Sequence, residues 1–380
     1  MISLLFYLAC AGYILLDLQL LRGLFKLKKR NRPENRETPT ITVLIAARNE
    51  ERNLPHVLDV LLAQDYPVEK FNVIVVNDRS NDGTENVLRS YSERNPDKIR
   101  FMTITEVSPG MSPKKHALMR GLEQAQGEWI AVTDADCTMG PRWLSSLSHE
   151  FNTDTGMVLG LTAYAELKNG FGWGTGTQAL EFISYGIVSA SLVGLGFPVI
   201  ANANNLAYRR KAFEDAGGFR GHGNVVSGDD DFILQAIHAT GQWTTKFCST
   251  PESLVRTAAP ESWAHFWEQR KRWASKCLYY RLPQKLFLAI VFAFYAAIPL
   301  LLLAGIICPW YAWLGICGFA VKTVSDFAVM RSGLRGFGLS SLLRWFPGTA
   351  LLHIPLILAA VVAGTTGGFT WKGQRLSKRV

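Results

Sequence analysis

Apolar and polar positions divide this chain into three textures. From Met1 to Leu21 nearly every residue is apolar, with only Asp17 and Gln19 interrupting. Such a run is long enough to cross a hydrocarbon core of about 30 Å as a helix. From Pro39 onward, short β-rich runs alternate with helical stretches. Ile41–Ala46, Asn72–Val76, Arg100–Thr105 and Trp129–Thr133 read as strands; Glu51–Gln64, Asp82–Asn95 and Lys114–Gln124 read as helices. That alternation predicts an α/β domain with a largely parallel sheet covered by helices. After residue 284 the apolar texture returns in Leu286–Ile307, Trp310–Met330 and Trp345–Gly364, each near spanning length. The expected organisation is therefore an anchor over 1–22, one catalytic domain over 38–280, a transmembrane or interfacial region over 285–366, and a basic tail over 367–380.

Charge sharpens this picture. The formal net charge is +9, and the excess gathers beside the apolar runs. Arg22, Lys26, Lys28, Lys29, Arg30 and Arg32 follow the first run, and Lys372, Arg375, Lys378 and Arg379 close the chain. Charges that follow the run, instead of preceding it, favour a retained anchor over a cleaved signal peptide. The positive-inside rule then places the catalytic domain in the cytoplasm of a multi-pass membrane protein. Basic clusters beside apolar spans also favour an anionic lipid surface, at about 1 kcal/mol per Lys or Arg. Nucleic acid is not expected as a partner, because no recognition module accompanies the charge. The six cysteines form no CxxC pair and no metal spacing, as expected of a reducing compartment. Three further spans would leave the tail on the wrong side for the charge rule. Lys322, Asp326, Pro299 and Pro355 inside those runs point to one re-entrant or interfacial segment.

Open parallel sheets place ligands beyond the carboxyl ends of their strands. Three such ends here are distinctive: Ala46-Ala47-Arg48-Asn49-Glu50, Asn77-Asp78-Arg79-Ser80-Asn81-Asp82-Gly83-Thr84, and Asp134-Ala135-Asp136. Each alone reads as a polar helix start, a turn or an acidic loop; all three in order point to a site. Asp134 and Asp136, one residue apart after a buried strand, suit Mg²⁺ or Mn²⁺, which take few protein carboxylates and complete their shell with water and phosphate. Lys114 and Lys115 open a helix and could meet a donor's negative charge, although for lysines taken alone a solvated helix start is the commoner explanation, by about two to one. The glycine-rich stretch Gly170–Gly176 fits no phosphate cradle and reads as a mobile loop near the acceptor. His116, His222 and His265 show no zinc spacing.

Over residues 40–280 the chain resembles the family-2 glycosyltransferases of the GT-A (Rossmann-like) fold. That resemblance implies nucleotide-sugar contacts at Ala47, Glu50, Asp78, Lys114 and Asp134, with Asp136 on the metal. Lys114-Lys115-His116-Ala117-Leu118 is similar to the family's Lys-x-x-Ala-Leu signature, which favours Lys114 over Lys115. Asn204–Phe213 and Gly217-Gly218-Phe219 resemble its acceptor-side strand and turn. Ser227-Gly228-Asp229-Asp230-Asp231-Phe232 falls where the family has Glu-Asp, with Asp229 in place of the Glu. The general base then maps to Asp230, in a register open by one residue. Gln269-Arg270-Lys271-Arg272-Trp273 matches Gln-x-x-Arg-Trp, found in polysaccharide synthases and ceramide-glucosyltransferase-like enzymes. It implies that Arg272 meets the pyrophosphate, while Asp229, Gln269 and Trp273 sit on the acceptor side. Trp263, Phe266, Trp267, Trp273, Tyr279 and Tyr280 around it suit a helix at a membrane interface.

The expected function is a membrane-bound inverting transfer of a hexose from a nucleotide-diphosphate sugar, with UDP the implied nucleotide, to a hydroxyl of a membrane lipid. Two rival readings are a processive synthase of a β-linked polymer and a catalytically inactive membrane scaffold of the same fold.

Overall fold

The computed structural model describes residues 2–29, 38–166, 170, 172–371 and 374–376. Of the residues singled out above, Met1, Arg30, Arg32, Lys372, Lys378 and Arg379 lie outside these.

The chain begins with α1 (Ile2–Lys29) and then alternates through β1 (Ile41–Ala47), α2 (Leu54–Leu62), β2 (Phe71–Asp78), α3 (Thr84–Arg94), β3 (Ile99–Ile104), α4 (Pro113–Gln124) and β4 (Trp129–Val132). Next come β5 (Cys137–Met139), α5 (Trp143–Ser148), β6 (Thr155–Leu159), β7 (Thr162–Tyr164), α6 (Trp173–Leu195), β8 (Leu206–Arg209) and α7 (Arg210–Asp215). There follow α8 (Asp231–Ala239), β9 (Thr244–Phe247), β10 (Val255–Thr257), α9 (Trp263–Lys276), α10 (Leu282–Ala304), α11 (Pro309–Gly336) and α12 (Phe346–Thr366), and the series ends with the antiparallel pair β11 (Phe369–Trp371) and β12 (Gln374–Leu376).

Seven strands make one sheet in the order β3-β2-β1-β4-β8-β6-β9. The half from β3 to β4 is parallel, and β8 enters antiparallel beside β4 and β6. Both faces of β1 and β2 are covered, so these strands are apolar almost throughout; β2 reads Phe-Asn-Val-Ile-Val-Val. Turning from parallel to antiparallel at β4 leaves a crevice beyond its carboxyl end. Asp134 and Asp136 stand there.

Among the described residues, five helical segments are long and apolar enough to cross a membrane: α1, α6, α10, α11 and Ser340–Thr366. Sequence reading missed α6. This helix is 61% buried, against 17–33% for the other four. It packs against β7, β9, α1 and α12, so its apolar surface faces protein more than lipid. The glycine-rich stretch is also corrected. Trp173 to Gly176 form the first turn of α6, and a Cβ on Gly176 would come within 2.3 Å of the Trp345 indole. That glycine buys a close helix approach, so the segment is not a loop there.

Charges inside α11 are neutralised within the bundle. The Lys322 ammonium donates to Asp326 Oδ2 at 2.6 Å, and the Tyr13 hydroxyl of α1 donates to Asp326 Oδ1 at 2.7 Å. A paired Lys and Asp four residues apart remove the objection to α11 as a span. By contrast, α12 starts against α6, where Thr349 Oγ1 donates to the Thr177 carbonyl. It ends against α9, where Gly364 faces the Lys271 carbonyl. Both ends of α12 thus meet helices attached to the catalytic domain.

Candidate active site

The loops after β1 and β2 are laced into one rim. Asn49 and Arg79 adopt left-handed backbone, with φ of 55° and 53°, a conformation that L-residues hold only when their surroundings impose it. Here the surroundings are cross-loop hydrogen bonds. The amide of Asn49 donates to Ser80 Oγ at 2.9 Å, and the amide of Asn81 donates back to Asn49 Oδ1 at 2.9 Å. The amide of Glu50 donates to Thr84 Oγ1 at 2.8 Å. Ala47 and Asp78 are buried at the adjoining strand ends, and Arg79 pairs with Asp78 at 2.7 Å. Glu50 is buried and accepts from Asn53 at 2.7 Å. Ala47, Glu50 and Asp78 therefore form one continuous edge.

Lys114, in the first turn of α4, joins the two halves of the crevice. Its ammonium lies 2.9 Å from Asp134 and 3.1 Å from Asp229. Burial works against that charge, but the two carboxylates hold the Lys114 pKa above the ordinary lysine range. Asp229 is likewise held below its ordinary value: burial would raise it, and Lys114 and Lys115 outweigh burial. Lys115 turns the other way. It is fully buried and donates to the carbonyls of His222, Val225 and Ser227 at 2.8, 2.6 and 3.2 Å. Its ammonium thus pins the loop that leads into Asp229, and burial brings its pKa down to about 8.

The three consecutive aspartates have three different surroundings. Asp229 faces Lys114. Asp231 is wholly buried and accepts from the Ala201 amide, Tyr280 and Lys276; burial, then the charge of Asp230, pushes it up to about 6. Asp230 caps α8. Its Oδ1 accepts from the Asp231 amide at 2.7 Å and Lys276 at 3.2 Å, and its Oδ2 accepts from the Ala203 amide at 3.1 Å.

α9 supplies the remaining wall. Arg272 is half-buried among Asp229, Asp134 and Asp230; burial lowers its pKa, while those carboxylates pull the other way. Gln269 accepts from Arg270 at 2.6 Å and from the Tyr164 hydroxyl at 3.4 Å. Trp273 packs on Phe182 and Tyr185 of α6, with ring centroids 5.9 Å away in each case. Behind them, the buried Arg270 forms a two-pronged pair with Glu181 of α6.

Sequence reading missed Lys276 and Glu181, and it set Tyr280 at a membrane interface, whereas Tyr280 is buried and donates to Asp231. For Lys276 a signal was present, because it follows Arg272 by four residues on the same helix and so shares its face. Nothing in the sequence pointed to Glu181.

Asp136 is exposed at the rim after β4, and Thr257 donates to it at 3.3 Å. No group of three or more His, Cys, Asp or Glu suited to a metal occurs among the described residues. Two carboxylates, one already bridged by Lys114, fit a hard divalent cation that takes its other ligands from water and a bound diphosphate.

Comparison with known proteins finds relatives among glycosyltransferases. Beta-monoglucosyldiacylglycerol synthase of Trichormus variabilis is 28% identical over 242 residues, covering 62% of this chain and 48% of that protein. Poly-beta-1,6-N-acetyl-D-glucosamine synthase of Staphylococcus epidermidis is 26% identical over 249 residues, covering 63% and 55%. The chain spans about half the length of the curated relatives it matches, 48–59% for three of them. Among solved structures, the mannosyltransferase PcManGT from Pyrobaculum calidifontis superimposes with a TM-score of 0.61 at 22% identity, covering 96% of this chain and 98% of that one. Its likeness places the fold among GT-A glycosyltransferases. The profile of glycosyl transferase family 21 matches residues 3–379, and the chain belongs to that family of glycosyltransferases.

Proposed function

We propose that this glycosyltransferase moves a hexose, with inversion, from a nucleotide-diphosphate sugar to a hydroxyl of a lipid that stays in the membrane. The observation that carries the reading is the Lys114 bridge. It sets the donor-edge Asp134 and the acceptor-edge Asp229 on one ammonium, 2.9 and 3.1 Å away. The wall beside them, α9, passes within six residues into the apolar α10. A site so close to a span suits an acceptor that never enters water.

In this reading Ala47, Glu50 and Asp78 hold the nucleoside end of the donor, and Lys114 and Arg272 face the diphosphate. Asp136, with Asp134, would hold Mg²⁺ or Mn²⁺, which would supply charge neutralisation to the leaving diphosphate. Asp230 takes the proton from the acceptor hydroxyl as that oxygen attacks the anomeric carbon opposite the departing group. Its backbone hydrogen bonds and Lys276 fix the carboxylate in place, so positioning does much of the catalytic work. Asp231 is too buried to serve. Gln269 and Trp273 border the acceptor. The relative named for monoglucosyldiacylglycerol supports a lipid acceptor. The PcManGT complex holds GDP-Man and Mn²⁺, so GDP stands beside UDP as the nucleotide.

For topology, we read α1, α10 and α11 as spans and α6 and α12 as interfacial. Three crossings leave Lys26, Lys28 and Lys29 at the end of α1 on the catalytic side, which the charge rule makes cytoplasmic. They also bring the end of α12 back to that side, removing the conflict over the basic tail.

Two substitutions test the acceptor placement. Trp273→Ala should lower transfer to a membrane acceptor about tenfold, the equivalent of roughly 1.4 kcal/mol of acceptor positioning, while donor hydrolysis stays nearly unchanged. Arg272→Ala should depress both reactions. Equal loss of both in Trp273→Ala would show that the acceptor lies elsewhere.

A further inference from the structure

Where α10 leaves the catalytic domain there is a cavity of about 480 Å³ that the transfer chemistry does not use. Phe197, Gln235, His238, Arg281, Leu282 and Gln284 line it. It lies where the end of α6 meets the start of α10: the Phe197 ring stands edge-on to Phe287, with centroids 6.1 Å apart. Next along α10, Leu282, Leu286 and Ile290 are 68%, 54% and 71% exposed. The cavity therefore opens where an apolar surface gives way to a polar one.

Three independent features point to its ligand. The exposed Arg281 guanidinium joins no ion pair among the described residues. The first turn of the 23-residue α10 carries no acidic residue and no side-chain cap; Pro283 has no N–H and the Lys285 amide donates to the Arg281 carbonyl, so the Leu282 and Gln284 amides and the positive end of the dipole are left for an anion. Gln284 is 5% exposed, lines the cavity, and its Oε1 has no hydrogen-bond partner among the described residues. A buried acceptor left in that state is costly, so a ligand hydroxyl that donates to it is favoured. His238, whose pKa burial and then Arg281 hold down, stays neutral beside it.

We propose that this cavity binds the headgroup of an anionic phospholipid that also bears a hydroxyl, with the phosphodiester at Arg281 and the first turn of α10 and the hydroxyl at Gln284. Phosphatidylglycerol has this chemistry. The proposal rests on the reading that α10 enters the bilayer at Leu282. Occupancy also bears on catalysis, because the Arg281 amide donates to Gln235 of α8 at 3.4 Å and Tyr280 donates to Asp231. A bound headgroup thus clamps α8 to α10 about one turn from Asp230.

The test uses the full chain reconstituted in vesicles of equal parts phosphatidylglycerol and phosphatidylcholine, with native mass spectrometry of the lipid it retains. Phosphatidylglycerol should be retained in preference, and Arg281→Gln should lower that retention about fivefold, the effect of one basic contact at a lipid surface. Gln284→Leu should also lower it while leaving the Tm in neutral detergent unchanged or higher, since an unsatisfied polar atom is removed. Lys26→Gln, on α1, should leave it unchanged. No preference between the lipids, or full retention in Arg281→Gln, would overturn the proposal. Displacement by equimolar glycerol phosphate would also overturn it, assigning the cavity to a soluble phosphate. Donor hydrolysis in the same vesicles separates the two readings. Hydrolysis without lipid preference sinks this inference alone, and lipid preference without hydrolysis sinks the transferase reading alone.

Discussion

Asp230→Asn should lower sugar transfer by about 10²–10⁴-fold, the span typical of a lost general base, while donor affinity changes less than about twofold. Asparagine keeps the shape of the cap and its single oxygen can still accept from the Asp231 amide, which reaches Asp230 Oδ1 at 2.7 Å, although its NH2 cannot replace the oxygen that accepts from the Ala203 amide. It cannot take a proton. Asp231→Asn should behave differently, because Asp231 is fully buried and paired with Lys276 at 2.6 Å. Losing that charge leaves a buried ammonium with one fewer partner, so reduced stability should dominate. Donor binding by calorimetry beside single-turnover transfer separates these outcomes. If Asp229→Asn binds donor normally and fails in transfer while Asp230→Asn stays active, the base is one residue earlier.

Asp136→Ala should weaken donor binding by about 10²–10³-fold, as expected when several kcal/mol of metal-mediated charge neutralisation disappear. Excess EDTA should stop turnover of the wild-type protein. The reason lies in the division of labour at the rim. Lys114 already neutralises Asp134 at 2.9 Å, whereas Asp136 is exposed and faces the crevice edge where a diphosphate-bound cation would sit. Adding back Mn²⁺ or Mg²⁺ should restore the wild type but not Asp136→Ala. Undiminished turnover in EDTA would remove the metal from the account.

Much of the fold was legible because buried parallel strands are nearly continuous apolar runs, and β1, β2 and β4 lie within a residue or two of where the pattern puts them. The start of α2 was not. Glu51 was expected to open that helix, but the structure begins it at Leu54, since Glu50 and Glu51 spend their amides on Thr84 and Asp82 across the rim. α6 escaped notice because Gly174, Thr175, Gly176, Thr177, Gln178 and Glu181 dilute its apolar signal. Its burial by protein, not lipid, tolerates such dilution. Likewise α1 runs on to Lys29, eight residues past the apolar run, because straight-chain lysines favour helix at its end.

In the site, the short motifs carried the legible part, since Asp134 with Asp136, and Gln269 with Arg272 and Trp273, lie close in sequence. What holds them in place was hidden. Lys276 meets Asp230 across 46 residues, and Arg270 meets Glu181 across 89. Only the packing of α9 against α6 and α8 creates those pairs. The Lys114 bridge to Asp229 spans two motifs that the sequence treats as separate.

The most direct test of the central claim is to supply the full chain, in vesicles containing hydroxylated lipids, with a nucleotide sugar carrying a labelled hexose and with Mn²⁺, and then to follow the label by mass spectrometry of the extracted lipid. The account predicts a single lipid species heavier by one hexose, formed in step with release of the nucleoside diphosphate and absent in Asp230→Asn. Release of nucleoside diphosphate with all of the sugar left in water, or a ladder of products spaced by one hexose, would contradict it.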